Sequence, residues 1–337
     1  VASAQRMLLA WIPGEIRCDG HVVTATPTRR PWTTLTWPTQ TTLNPVTYSF
    51  DIDAAGRTTD IKRNAPSPSL FDNDDIGPSL AATPFPSGQP QRACTVTYLA
   101  RQTTIAATPI SDLISYSITP LSGALPPDGW ARIGGTGGCA DAPRPDPLVR
   151  AYPAFDTLPA TPGVKDWSLV GYDLDPRGHP IDVHPVEGTG NAELTAAAVK
   201  AVAASRFTDG ARRGCLYPYW RAPATLVAPA MPHAAAFRPD GATCPEGHDW
   251  VTRPTLRYPD PYRRRSVEGW AILVYDVAPW GAVGNIRVVA AQPAEDFGTA
   301  AVNVLQGAKM PDGQGLVGCV ERIRFKMPSV AGNGQPK

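Results

Sequence analysis

Leu273-Val274-Tyr275-Asp276-Val277-Ala278-Pro279-Trp280-Gly281-Ala282 reads as a strand running into a tight turn, and the chain carries two more stretches built the same way. Tyr48-Ser49-Phe50-Asp51-Ile52-Asp53 leads to Gly56, and Val170-Gly171-Tyr172-Asp173-Leu174-Asp175 leads to Gly178. In all three an aspartate (Asp51, Asp173, Asp276) is followed five residues on by glycine. β-Branched and aromatic residues in short runs predict strands, and each glycine suits a hairpin turn that needs positive φ.

Working outward, each stretch is followed by the same elements. A second strand comes next, clearest at Val283-Gly284-Asn285-Ile286-Arg287-Val288-Val289. A helix follows: Phe297, Ala300, Ala301, Val304, Leu305 and Ala308 form one stripe, and Leu194, Ala197, Ala198, Ala201 and Val202 form another behind an Asn191 cap. In the first stretch the corresponding segment, Phe71-Asp72-Asn73-Asp74-Asp75-Ile76, reads as a degraded helix interrupted by Gly77-Pro78. A cysteine then opens a last strand, at Cys94, Cys215 and Cys319.

The six cysteines fall as pairs of nearly constant separation, Cys18 to Cys94, Cys139 to Cys215 and Cys244 to Cys319, at 76, 76 and 75 residues. Six cysteines permit about 15 connectivities. A module present three times selects one of them, with each disulfide inside its own copy. The expected fold is therefore α+β: three tandem small domains, each an antiparallel sheet with one packed helix in the order strand-strand-helix-strand. The expected boundaries are 5–106, 126–225 and 232–330, with linkers at 107–125 and 226–231 and a tail at 331–337.

The chain has 337 residues, 31 basic and 30 acidic, for a net charge of +1. That balance gives no electrostatic footprint for nucleic acid. No apolar run reaches the ~18 residues of a membrane-spanning helix; the longest, Met7-Leu8-Leu9-Ala10-Trp11-Ile12, stops at Pro13-Gly14. Paired cysteines imply an oxidising compartment, periplasmic or extracellular. The start at Val1-Ala2-Ser3-Ala4-Gln5 fits an export signal already removed. Six reduced cysteines in a cytosolic core are the competing reading.

The third copy, through Tyr258-Pro259, Arg263-Arg264-Arg265 and Ser266-Val267-Glu268-Gly269-Trp270 to Phe325, resembles a TonB C-terminal domain. The second keeps Tyr152-Pro153 and Trp167; the first keeps Phe50 to Gly56 and Phe71-Asp72. The membrane anchor and the Pro-Lys and Pro-Glu rich spacer of that family's energy transducers are missing from this sequence, and the paired cysteines depart from the family pattern. The resemblance implies binding of protein partners by addition of a strand to a sheet edge. Candidate edges are the terminal strands near Tyr98, Tyr219 and Phe325, with Trp32 and Trp37 as further candidates.

No catalytic, cofactor or metal constellation stands out. His21, His179, His184, His233 and His248 are scattered. The glycine-rich run Arg132 to Cys139 lacks the Lys-Ser/Thr of a phosphate loop and leads into a disulfide. Asp72-Asn73-Asp74-Asp75 reads as a charged helix start rather than a calcium loop. Arg263-Arg264-Arg265 reads as a solvated stretch or a seat for a partner's carboxylate or phosphate. The expected function is thus a non-enzymatic envelope protein without cofactor, binding proteins or serving as a subunit of a larger, even membrane-associated, assembly. The alternatives are a secreted hydrolase with a site between copies, or a TonB-like accessory protein that binds outer-membrane transporters. The copies are expected to differ in role, the first two adapted to fixed contacts and the third nearest the ancestral module. Mass mapping of non-reduced peptides is expected to return the three intra-copy bridges; an inter-copy bridge would overturn the domain scheme.

Overall fold

A computed structural model describes residues 6–38, 43–64, 73–141, 144–245, 247 and 249–328. The fold is α+β, built of several small antiparallel sheets, and it holds the disulfides Cys18–Cys94, Cys139–Cys215 and Cys244–Cys319. No helix among the described residues is long and apolar enough to cross a membrane.

The N-terminal unit begins with β1 (Met7–Pro13), β2 (Arg17–Cys18), β3 (His21–Val22) and β4 (Thr34–Thr36). It continues through β5 (Val46–Ile52), β6 (Thr58–Arg63), α1 (Ile76–Ala81) and β7 (Gln91–Thr104). The long β7 is the spine of this sheet, pairing with β5 on one side and with β2 and β1 on the other. The run Met7 to Ile12 becomes a central strand: Leu9 and Trp11 enter one core and Leu8 another, as the two-residue period requires. Gly77 and Pro78 do not interrupt a helix; α1 starts at Ile76, so both sit in its first turn, where a missing N–H is tolerated.

The residues 107–125, expected to be a linker, hold a helix instead. α2 (Ile110–Ile118) and α3 (Pro127–Gly134) bury Leu113, Ile114, Tyr116, Leu125 and Ile133 against Trp167 and Leu169 of the next sheet. The reason is geometric. A three-stranded sheet with one helix leaves its second face open, and apolar side chains on that face need a cover. After β8 (Pro147–Val149) that sheet is formed by β9 (Asp166–Leu174), β10 (Pro180–Gly188) and, past α4 (Ala192–Ala203) and β11 (Arg206–Phe207), β12 (Arg212–Arg221). Its order is β10-β9-β12, with Asn191 capping α4 through the Leu194 amide at 2.9 Å. β9 is buried along nearly its whole length, between α4 on one face and α2 and α3 on the other.

The C-terminal unit has α5 (Asp260–Arg264), β13 (Gly269–Val277), β14 (Val283–Gln292), α6 (Glu295–Gln306) and β15 (Leu316–Phe325), in sheet order β14-β13-β15. The segment 226–231, also expected to be a linker, is tied down: Leu226 exchanges backbone bonds with Ser266 and Glu268, and Trp270 Nε1 donates to Pro229 O at 2.8 Å. The stripe on α6 is buried as its period predicts.

The N- and C-terminal units share one continuous hydrophobic core, containing Trp11, Phe50, Ile76 and Tyr98 together with Tyr262, Tyr275, Phe297 and Phe325. The outer edge of β6 seals it. Ile61 N donates to Pro293 O at 2.9 Å, Asp60 N to Gln292 Oε1 at 3.0 Å and Arg63 N to Glu295 Oε1 at 2.8 Å. Tyr262 seats directly over Gly77, leaving no room for a side chain there, and donates to Asp296 Oδ2.

All three units meet at Arg265. Its guanidinium donates to both carboxylate oxygens of Asp75 at 2.6 Å, to Gly163 O at 3.2 Å and to Arg30 O at 3.0 Å, and lies 4.3 Å over the Trp32 ring. Both charged side chains are buried. Asp75 also accepts from Trp32 N. Replacing Asp75 with alanine strands the cation away from water, so a loss of about 3–5 kcal/mol is expected in urea unfolding. The paired replacement Asp75→Leu with Arg265→Met is expected to restore most of it, the sign that the lone charge was the cost.

Candidate functional site

The three turn glycines occupy one and the same environment. Gly56, Gly178 and Gly281 have φ of 77°, 74° and 79°, and a Cβ there would lie 2.1, 2.2 and 2.0 Å from the carbonyl oxygens of Phe85, Phe207 and Met310. The aspartates ahead of them do equivalent work across the sheet. Asp51 Oδ1 accepts from Ala93 N at 3.0 Å, Asp173 Oδ1 from Gly214 N at 2.8 Å and Asp276 Oδ1 from Gly318 N at 2.9 Å. Each donor immediately precedes the second cysteine of its pair and has positive φ, at 47°, 73° and 69°. The carboxylate thus pins a bulge that starts the terminal strand beside its disulfide.

The terminal strands are where partner binding was expected, and their edges differ. Tyr98 does not lie at an open edge: it is fully buried and faces Pro13 of β1 on one side and Val46 of β5 on the other. The added N-terminal strand has taken that position, which the strand-helix pattern alone did not reveal. Tyr219 is buried in β12 and its hydroxyl donates to Ala151 O at 2.7 Å. The outer side of β12 is met at its start by Gly135 and Thr136, and Pro218 removes a ladder donor farther on. β10, at the other side of that sheet, carries Pro180 and Pro185.

Phe325 is buried at the end of β15, against Tyr258 and Phe297. The outer side of β15 begins with Val317, whose carbonyl accepts from Thr243 N at 3.0 Å and Cys244 N at 3.4 Å. Beyond that point, among the described residues, no further backbone partner reaches this edge. β15 contains no proline, and Arg324 at its outer end is exposed.

Trp32 is buried beneath Arg265, whereas Trp37 is 57% exposed with Arg6 4.9 Å over its ring. Arg263-Arg264-Arg265 is not a free basic stretch. Arg263 pairs with Asp260, Arg264 with Asp74 and Arg265 with Asp75, so two of the three arginines serve the acidic pair at 74–75. Asp72 and His248 lie outside the described residues. His179 shares Asp175 with its own turn and contacts Arg206, and His184 contacts Asp182 O. Gly135 and Thr136 of the glycine-rich run lie along the β12 backbone. Among the described residues no group of three or more His, Cys, Asp or Glu side chains converges.

No protein-family profile matches the chain. The chain is similar to protein TonB of Klebsiella pneumoniae, 26% identical over 113 residues, which is 34% of this chain and 43% of that protein. The match therefore spans less than half the length of that relative.

The Asp276 carboxylate ties acid stability to its sheet. Asp276 is held below the usual carboxylate range by the Asn285 side-chain donor and the Gly318 amide. A carboxyl depressed on folding contributes stability above its unfolded pKa of about 3.9 and loses it as pH falls through the folded value. Unfolding of Asp276→Asn, followed by circular dichroism, is expected to depend less on pH between about 5 and 3 than that of the parent protein.

Proposed function

We propose that this is an envelope protein without catalytic activity of its own, acting as a protein-binding module or as a subunit of a larger periplasmic or surface assembly. The observation that carries the proposal is the outer edge of β15, a proline-free strand that past Val317 has no backbone partner among the described residues, taken together with the likeness to TonB. A partner segment in extended conformation adds there as a fourth strand next to β15, its backbone satisfying the edge and its side chains meeting Val317 and Arg324. The three units are tandem copies of one module in this reading, at roughly residues 5–106, 126–225 and 232–330. The first copy has used its terminal edge for its own β1, and the second is punctuated by proline. The third alone retains a usable edge, so partner capture belongs to it and fixed internal contacts to the others. The TonB-like accessory role at outer-membrane transporters is the more specific form of the same proposal, and a hydrolase using a cleft between copies is the opposing one.

Photo-crosslinking decides between them. A photoreactive residue at Val317 or Arg324 is expected to capture one defined partner from native envelope, while the same group at Trp280 captures none. Loss of that adduct when Arg324 is changed to proline, with the fold retained by circular dichroism, supports strand addition. A monomer that crosslinks to nothing and turns over an ester or peptide substrate would overturn it.

A further inference from the structure

The junction of the three units encloses a cavity of about 300 Å³, walled by the loop from Pro27 to Trp32, by α2, by the approach to β9 and by Arg265. Such a volume is at the small end of ligand pockets. It reaches solvent past Thr28 and Arg30, which are exposed, and its inner walls include the buried indoles of Trp32 and Trp167. Ser111 and Ser115, one turn apart on α2, add hydroxyls.

The charges around this cavity do not cancel. Arg29, Arg30, Lys165 and Arg265 line it, against the single carboxylate of Asp112. Arg265 is satisfied by Asp75 behind the wall. Arg30 shares Asp112, at 3.0 Å, with Arg101 at 3.1 Å, so that carboxylate is fully engaged. Arg29 and Lys165 are left over. Among the described residues neither has a carboxylate at ion-pair distance. The Arg29 Nε is buried without a hydrogen-bond partner, and Lys165 Nζ donates only to Ile118 O while lying 5.6 Å from the Trp32 ring and 5.1 Å from that of Trp220. Burial, with Arg265 nearby, lowers the pKa of both side chains from their usual values, although Asp166 partly offsets this at Arg29. Two half-desolvated cations facing a solvent-connected cavity are donors suited to an anion.

We propose that this junction cavity binds a small organic oxyanion, a carboxylate or phosphate carried on a planar ring, with Arg29 and Lys165 holding the charged end and Trp32 and Trp167 the ring. The arginine fork donates to two oxygens side by side, and the lysine supplies a third donor. The indole walls explain the preference for a flat apolar body over a bare inorganic ion. Because the walls come from all three units, an occupant stiffens their relative placement, and binding raises the unfolding temperature.

Calorimetric titration of the full chain with phenyl phosphate and with benzoate tests this, phenol serving as the uncharged control. Saturable binding of one or both anions, with an accompanying rise in melting temperature and none with phenol, is expected; which anion binds more tightly distinguishes a phosphate from a carboxylate ligand. Arg29→Gln and Lys165→Gln are each expected to weaken it at least about tenfold, the loss of one charge-assisted contact. Arg92→Gln, at an exposed position that does not line the cavity, leaves it unchanged. Should Arg29→Gln fail to fold, Lys165→Gln carries the same reading. Absence of saturable binding at millimolar anion, equal binding of phenol, or unchanged affinity in the folded variants would each overturn the proposal.

Discussion

The contact between Arg265 and Asp75 sets the arrangement of everything around it. A guanidinium and a carboxylate brought together out of water gain little net stability, since the cost of stripping both of solvent offsets most of their attraction. What they impose is selectivity: any packing that separates them leaves a bare charge inside. Arg265 satisfies its other donors on carbonyls of Gly163 and Arg30, so the pair is completed only when segments from all three units arrive together. Trp32 covers the guanidinium face and is itself held to Asp75 through its amide. The relative placement of the units follows from this one requirement, and from the strip of bonds where β6 meets the start of α6.

Within each unit the governing constraint is different and local. A hairpin glycine at positive φ, its carbonyl neighbour two ångströms from where a side chain would begin, and an aspartate bonded to the residue before the second cysteine recur with nearly identical geometry. Steric exclusion at the glycine and a single charge-assisted bond at the aspartate are enough to fix turn and bulge. The disulfide then holds the outer segment against the strand so shaped. The same geometry thus recurs around cores of different residues.

That division explains what the chain displays in linear form. Strands, turn glycines and the helix stripes on α4 and α6 arise from interactions within a few residues, and the cysteines stand at a nearly constant spacing, so all of these are legible. The role of α2 and α3 is not: Leu113, Ile114 and Ile133 carry apolar content at helical spacing, but what they cover is a sheet face more than thirty residues downstream. Tyr98 reads as an edge in the sequence because nothing in β7 says that Met7 to Pro13 lies beside it. Arg265 looked like the third of three solvated arginines. Its neighbours Arg263 and Arg264 remain near the surface, and only the fold distinguishes the buried one. The candidate cavity had no linear signature, since its cations come from Arg29 and Lys165, in different units.

The shared core also carries a consequence for how the chain reaches its structure. Trp11, Phe50 and Ile76 are buried jointly with Tyr262, Phe297 and Phe325, which lie some two to three hundred residues later in the chain. A polypeptide made from its N-terminus has therefore completed the first β-sheet long before the surface that covers it exists. Contacts of such long range are slow to form, and apolar area left uncovered meanwhile is the usual origin of aggregation during synthesis. The middle unit, with its own interior around Val170, Tyr172 and Val202, is the part equipped to fold on time, while the first waits for the last.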